Sequence, residues 1–251
     1  VATPAPVGLR EALDRQLTNF EPVRIGGEFL HASALFALCS REHLLAAQNP
    51  AVAEKVIPVG LRVRFDAGSA IANWIRDKYL GPLGRLYGEW RCVRCNGVLT
   101  GTMPSQGRCP GCGTGRVEYE EREVRNHEFK IVGHLDGFDQ EPGRGLGVLE
   151  IKTIDGNLFR MLKAPQPEHI FRTHIYCWLA GVPWARILYV SMALEQRSPF
   201  KEFFLRYDPM VVDRLIRRLR ELRDGGTRAC PSAQDPRAIM CAQRKGCWGL
   251  R

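Results

Sequence analysis

Two cysteine pairs constrain the fold of this chain more tightly than any other part of it. Cys92-Val93-Arg94-Cys95 and Cys109-Pro110-Gly111-Cys112 stand thirteen residues apart. Two thiolates separated by two residues can reach one metal ion at tetrahedral geometry. Glycines after each pair, Gly97 and Gly113, allow the tight turn such a knuckle needs. The pattern predicts a Zn²⁺ ribbon over residues 89–117, inserted into a larger fold. Arg91, Arg94, Arg108 and Arg116 surround it. That basic rim suits a contact with DNA or with a partner protein as well as a purely structural role.

A chain of 251 residues with 45% hydrophobic content can bury one sizeable core around such an insert. No apolar run approaches the roughly 18 residues of a membrane span, so no membrane association is expected. The opening Val1-Ala2-Thr3-Pro4-Ala5-Pro6 is no signal-peptide pattern, and the expected location is cytoplasmic. A net charge of +9, from 36 basic and 27 acidic residues, fits a polyanionic partner. Nine cysteines without a secretory signal argue for bound metal rather than disulfides. Four belong to the ribbon. Cys230, Cys241 and Cys247 crowd the C-terminus, with Cys39 the candidate fourth partner far upstream. Cys177 lies in an apolar helical pattern and reads as a buried thiol.

Helices are expected over 33–48, 66–80, 167–181 and 209–223, and strands over 117–125, 128–138, 146–154, 186–193 and 201–207. Arg214, Arg217, Arg218 and Arg220 flank the apolar stripe of the last helix and read as a solvated face. The strand Gly147-Val148-Leu149-Glu150-Ile151-Lys152-Thr153 carries the chemistry. Residues two apart on a strand share a face, so Glu150 and Lys152 point the same way. Asp136 closes Val132-Gly133-His134-Leu135-Asp136-Gly137 fourteen residues upstream, and a hairpin can bring it alongside. Two carboxylates can hold a hard divalent cation. A lysine beside that cation can orient a water and stabilise phosphoryl charge. His134 is expected on the strand face opposite Asp136.

At these residues the chain resembles the PD-(D/E)xK nuclease superfamily, in its RecB-like exonuclease branch. The resemblance covers most of residues 30–248 outside the ribbon. It implies an α/β fold over residues 1–251, a central mixed sheet flanked by helices around a restriction-endonuclease-like core. It also implies metal-dependent hydrolysis of DNA, single-stranded or from ends. Asp136, Glu150 and the carbonyl of Ile151 would hold Mg²⁺ or Mn²⁺, and Lys152 would position or deprotonate the water. One early and three late cysteines bracketing such a core resemble the iron–sulfur subgroup, which includes CRISPR-associated exonucleases and the AddB nuclease domain. Cys39, Cys230, Cys241 and Cys247 would then hold a 4Fe–4S cluster, with a second zinc site as the alternative.

Two positions depart from the family pattern. Gly68 is followed at the fourth residue by Ala72, where the family places a metal-binding histidine. A missing imidazole implies a weaker metal site, and a binding module without turnover is the rival reading. The family's Gln-x-x-x-Tyr motif is matched by Tyr176, with Arg172 at the glutamine position and His169 one turn earlier. Both Arg172 and Tyr176 would orient the nucleic-acid strand, Arg172 by a bidentate grip on phosphate. RNA is not separated from DNA by any of these residues.

Overall fold

The computed structural model describes residues 9–18, 23–24, 29–36, 54–55, 58–193, 198–223, 230–239, 241 and 244–250. The expected helix at 33–48 falls largely outside this set, and Cys39 with it. Within it lies a 3₁₀ turn at Ala32–Ala34. The described strands are β1 (Val23–Arg24), β2 (Leu30–His31), β3 (Glu54–Lys55), β4 (Leu86–Cys92), β5 (Val98–Thr102), β6 (Val117–Glu120), β7 (Arg122–Asn126), β8 (Ile131–Leu135), β9 (Gly137–Glu141), β10 (Gly145–Ile154), β11 (Trp184–Ser191) and β12 (Phe200–Arg206).

The fold is mixed α/β. A seven-stranded sheet runs β12-β11-β10-β9-β4-β5, with β6 also paired to β4. Only β10 and β11 are parallel among its pairs, in the register Glu150↔Ile187 and Lys152↔Tyr189. A smaller sheet runs β2-β8-β7. The strands expected at 117–125 and 128–138 each divide in two, because the chain changes sheets within them. Glu121 alone separates β6 from β7, and Asp136 alone separates β8 from β9. Each is a corner between the large sheet and the small one.

Pro167–Ala180 crosses from β10 towards β11, as a parallel pair requires. It opens with Pro at its first position, where no amide hydrogen is needed. It stops at Gly181, whose φ of +67° suits a residue without a Cβ. The alternation along β10 splits its packing. Val148 joins Ile175, Ala185 and Leu215 in one core cluster, beneath Pro167–Ala180 and Pro209–Arg223. Leu149 and Ile151 join Ala72, Ile75, Leu86 and Trp90 in another, beneath Val59–Ile75. That helix begins seven residues earlier than the sequence suggests and ends in a π turn, Arg76–Leu80. Gly68 lets it approach β10: a Cβ there would stand 2.9 Å from the Thr153 hydroxyl. A short helix, Gly156–Met161, was not expected; the Asp155 side chain caps it through the Asn157 amide at 2.8 Å.

The ribbon is continuous with this architecture. One edge of β4 pairs with β9 at Leu86 and Tyr87 and with β6 at Glu89–Cys92, and the other edge pairs with β5. Among the described residues no helix is long and apolar enough to cross a membrane.

Candidate active site

Asp136, Glu150, Lys152, Arg172 and Tyr176 line one cavity of about 220 Å³, together with His31, Ser33, Gly133 and His134. The corner at Asp136 and the register of β9 on β10 bring the first two together. Leu149 lies opposite Gly137, and continuing that register by one step brings Asp136 opposite Glu150. The Ile151 amide donates to Asp136 Oδ2 at 2.6 Å. Glu150 and Lys152 share a face as the alternation requires, with Lys152 Nζ 2.7 Å from Glu150 Oε1. Arg172, one helical layer above, places Nη2 2.9 Å from that same oxygen. Tyr176 follows one turn on, and its ring fills the space that Gly133 leaves: a Cβ at Gly133 would meet Tyr176 Cε1 at 2.5 Å.

The electrostatics differ at the two carboxylates. Burial, then the negative charge of Glu150, raises Asp136 from 3.8 to about 6, against the pull of Lys152, the Ile151 amide and Arg76. Burial also opposes ionisation of Glu150, which is 2% exposed, yet Lys152 and Arg172 outweigh it and hold this carboxyl below its ordinary value. Burial keeps the Tyr176 phenol protonated, with its pKa raised. Oxygen donors of this kind suit a hard divalent cation, and both carboxylates face the same cavity. Neither is bare, since each already meets a protein cation.

The structure adds one residue to the site, Arg76, and places three others differently from expectation. Arg76, 3% exposed, reaches across both corners: Nη1 lies 2.9 Å from Glu121 Oε1, 3.1 Å from the Asp136 carbonyl and 3.6 Å from Asp136 Oδ1. Asn73 completes its shell by accepting from Nη2. The available signal was spacing, because Arg76 falls four residues after Ala72 on one helix face. Ala72 itself sits in the apolar cluster with Ile75, Leu149 and Ile151, and is not among the residues that line the cavity. The gap expected there is thus corrected: the position packs against the Ile151 face of β10, away from Glu150 and Lys152. The placement of His134 is also corrected. Two residues before Asp136, it shares that residue's side of the chain and lines the same cavity, with Nε2 3.5 Å from Glu123 Oε2 and its ring stacked on His31 at 6.3 Å. Third, His169 does not face the cavity. Its Nδ1 lies 2.7 Å from the buried Tyr189 hydroxyl, which also accepts from the Gln166 amide at 3.0 Å. Burial, with Lys152 and Arg172 nearby, lowers His169 to about 4, so it is neutral at pH 7.

The four ribbon cysteines also converge. Cys92, Cys95, Cys109 and Cys112 bring their sulfurs within 4.8 Å of one another, the one such donor group among the described residues. Cys92 and Cys112 stand 3.7 Å apart, as do Cys95 and Cys109. Sulfurs bound at about 2.3 Å to one tetrahedral Zn²⁺ have this spacing. Backbone amides of Arg94 and Cys95 point at Cys92 Sγ, and that of Gly115 at Cys112 Sγ. Amide donation from Thr114 and Gly115 lowers Cys112 to about 6, favouring the thiolate a metal needs. The left-handed turn residue of the second knuckle is Gly113, but in the first it is Asn96 rather than Gly97. Cys230 and Cys247 are buried and Cys241 is half-buried; they are not gathered at single-ion spacing.

No family model matches this sequence, and no curated protein matches it. Several solved structures are similar in outline. An alkaline exonuclease from Laribacter hongkongensis, LHK-Exo, is 14% identical, with 80% of this chain and 88% of that chain covered and a TM-score of 0.48. The protein SSO0001 is 14% identical, with 93% of each chain covered and a TM-score of 0.46. A phage-related exonuclease from Haemophilus somnus 129PT is 12% identical over 83% of this chain and 95% of that one, with a TM-score of 0.32.

Proposed function

We propose that this chain is a divalent-metal-dependent deoxyribonuclease that hydrolyses DNA phosphodiesters from ends. The single observation that carries this reading is the shared cavity of Asp136, Glu150 and Lys152, two carboxylates and one amine converging from a sheet corner and a central strand. Asp136, Glu150 and the Ile151 carbonyl hold Mg²⁺ or Mn²⁺. The bound ion supplies charge neutralisation at the scissile phosphate and lowers the pKa of water. Lys152 moves to the attacking water, which it positions or deprotonates. Arg172 and Tyr176 orient the strand, the first by paired donors to phosphate oxygens and the second by a phenol that stays protonated. In this reading the ribbon holds Zn²⁺ and offers its basic rim to DNA or a protein partner. Cys39, Cys230, Cys241 and Cys247 hold a 4Fe–4S cluster, and the protein works in the cytoplasm in DNA recombination or repair.

The test is a nuclease assay on end-labelled linear and circular DNA, single- and double-stranded, with Mn²⁺. Linear substrates should shorten progressively and circles should survive; degradation of circles at an equal rate would remove the end requirement. A second reading is a DNA-end or protein-binding module without turnover. The three cations Arg76, Lys152 and Arg172, which already neutralise the carboxylates, favour it. Tight DNA binding with no product under Mn²⁺ would select that reading.

A further inference from the structure

Arg172 occupies the glutamine position of the family's motif, and its contacts are unusual for a strand-orienting residue. It spends a donor on Glu150 Oε1, the oxygen Lys152 also uses. Its Nε is buried and has no hydrogen-bond partner among the described residues. A guanidinium binds best through two parallel donors, and here one side of the fork is idle. A buried donor without a partner costs free energy that a suitable acceptor would recover. Glu150 is fixed on a central strand and 2% exposed, whereas Arg172 sits on a helix at the cavity wall with its side chain 18% exposed. Of the two, Arg172 is the one free to move.

We propose that Arg172 is an exchangeable counter-ion that couples nucleic-acid binding to metal binding. Without nucleic acid it neutralises Glu150 and repels an incoming divalent cation. A phosphodiester entering the cavity offers two non-bridging oxygens to the Nε and Nη donors and draws the guanidinium off Glu150. The carboxylate is then released to the metal. The coupling is reciprocal: whatever factor the phosphodiester adds to metal affinity, the metal adds to phosphodiester affinity. The inference rests on the proposed metal site at Asp136 and Glu150, and makes that site substrate-gated.

The experiment follows free Mn²⁺ by its electron paramagnetic resonance signal during titration of the full chain, with and without a phosphorothioate-linked single-stranded oligonucleotide. Wild type should bind Mn²⁺ weakly alone and about tenfold more tightly with the oligonucleotide. Arg172→Gln should bind Mn²⁺ tightly without the oligonucleotide and gain little from it. Arg172→Lys, which keeps the charge but not the fork, should bind weakly alone and gain less than wild type. Wild-type affinity unmoved by the oligonucleotide would overturn the exchange without recourse to any variant. So would an Arg172→Gln chain, folded by circular dichroism, that binds Mn²⁺ no more tightly than wild type. Either result leaves the metal site standing, provided Glu150→Ala abolishes binding. Failure of every chain to bind Mn²⁺, with and without the oligonucleotide, would overturn the metal site itself.

Discussion

Asp136 titrates where an experiment can see it. Its folded value of about 6 lies above the ordinary 3.8, so the folded chain holds this proton more tightly than the unfolded one. The sign follows: the metal-free protein loses stability at this residue as pH rises from about 4 through 6, when a buried carboxylate must ionise. Metal binding has the opposite trend, because the cation needs the deprotonated oxygen. With the phosphorothioate oligonucleotide present throughout, added Mn²⁺ should raise the melting temperature clearly at pH 7.5 and scarcely at pH 5, with proton release on binding measurable by calorimetry in buffers of different ionisation enthalpy. An equal rise at both pH values would exclude Asp136 as a ligand. Lys152 permits a second separation. Lys152→Ala should keep Mn²⁺ binding and lose about a hundredfold or more in cleavage rate; unchanged cleavage would move the water-activating role elsewhere. At this scale the sequence was most informative. Glu150 and Lys152 obey strand alternation, and Arg172 and Tyr176 lie one turn apart on a helix. His134 was misplaced because the same two-residue rule was not carried through to Asp136.

The elements are held in register by charge as much as by apolar packing, and this layer was not legible. Asp139 on β9, 3% exposed, accepts from Arg85 through both oxygens at 2.8 Å and from Arg186 of β11 at 2.6 Å. Arg186 also reaches Glu141 at 2.8 Å and Glu202 of β12 at 2.9 Å, so one guanidinium ties three strands. Removing the buried partner leaves charge uncompensated. Asp139→Ala should cost about 3 kcal/mol in urea unfolding. A loss near zero would mean that Glu141 and Glu202 suffice for Arg186. Arg76 plays the corresponding part between sheets, where Glu121 and Asp136 mark the two corners. Periodicity reveals strands but not the single residues at which a chain leaves one sheet for another, which is why 117–125 and 128–138 each read as one strand. Long-range pairs such as Arg76 with Glu121, 45 residues apart, leave no local pattern.

For the whole molecule, metal content is the decisive observable. The ribbon cysteines stand at zinc spacing, and four other cysteines remain for the proposed cluster. Protein purified without oxygen should be brown and carry one zinc with about four irons per chain. A colourless preparation with two zincs and no iron would replace the cluster with a second zinc site. The convergence of the four ribbon cysteines was readable from their spacing, and the mixed sheet with its flanking helices from the resemblance at Asp136, Glu150 and Lys152. The joining of ribbon to sheet was not, because Leu86–Cys92 looks alike whether it ends in a separate module or runs into the centre of the fold.

That shared strand carries a hazard of its own. β5 is an edge strand that leaves Val98 exposed, and it stays in place through pairing with β4, whose last residue, Cys92, belongs to the four-sulfur group. If the four sulfurs hold zinc as proposed, stripping it would loosen β5 and β6 together and uncover both margins of β4 near that end. Unpaired strand margins recruit other chains. Chelation should therefore show itself first as self-association visible in light scattering, before any loss of helix signal.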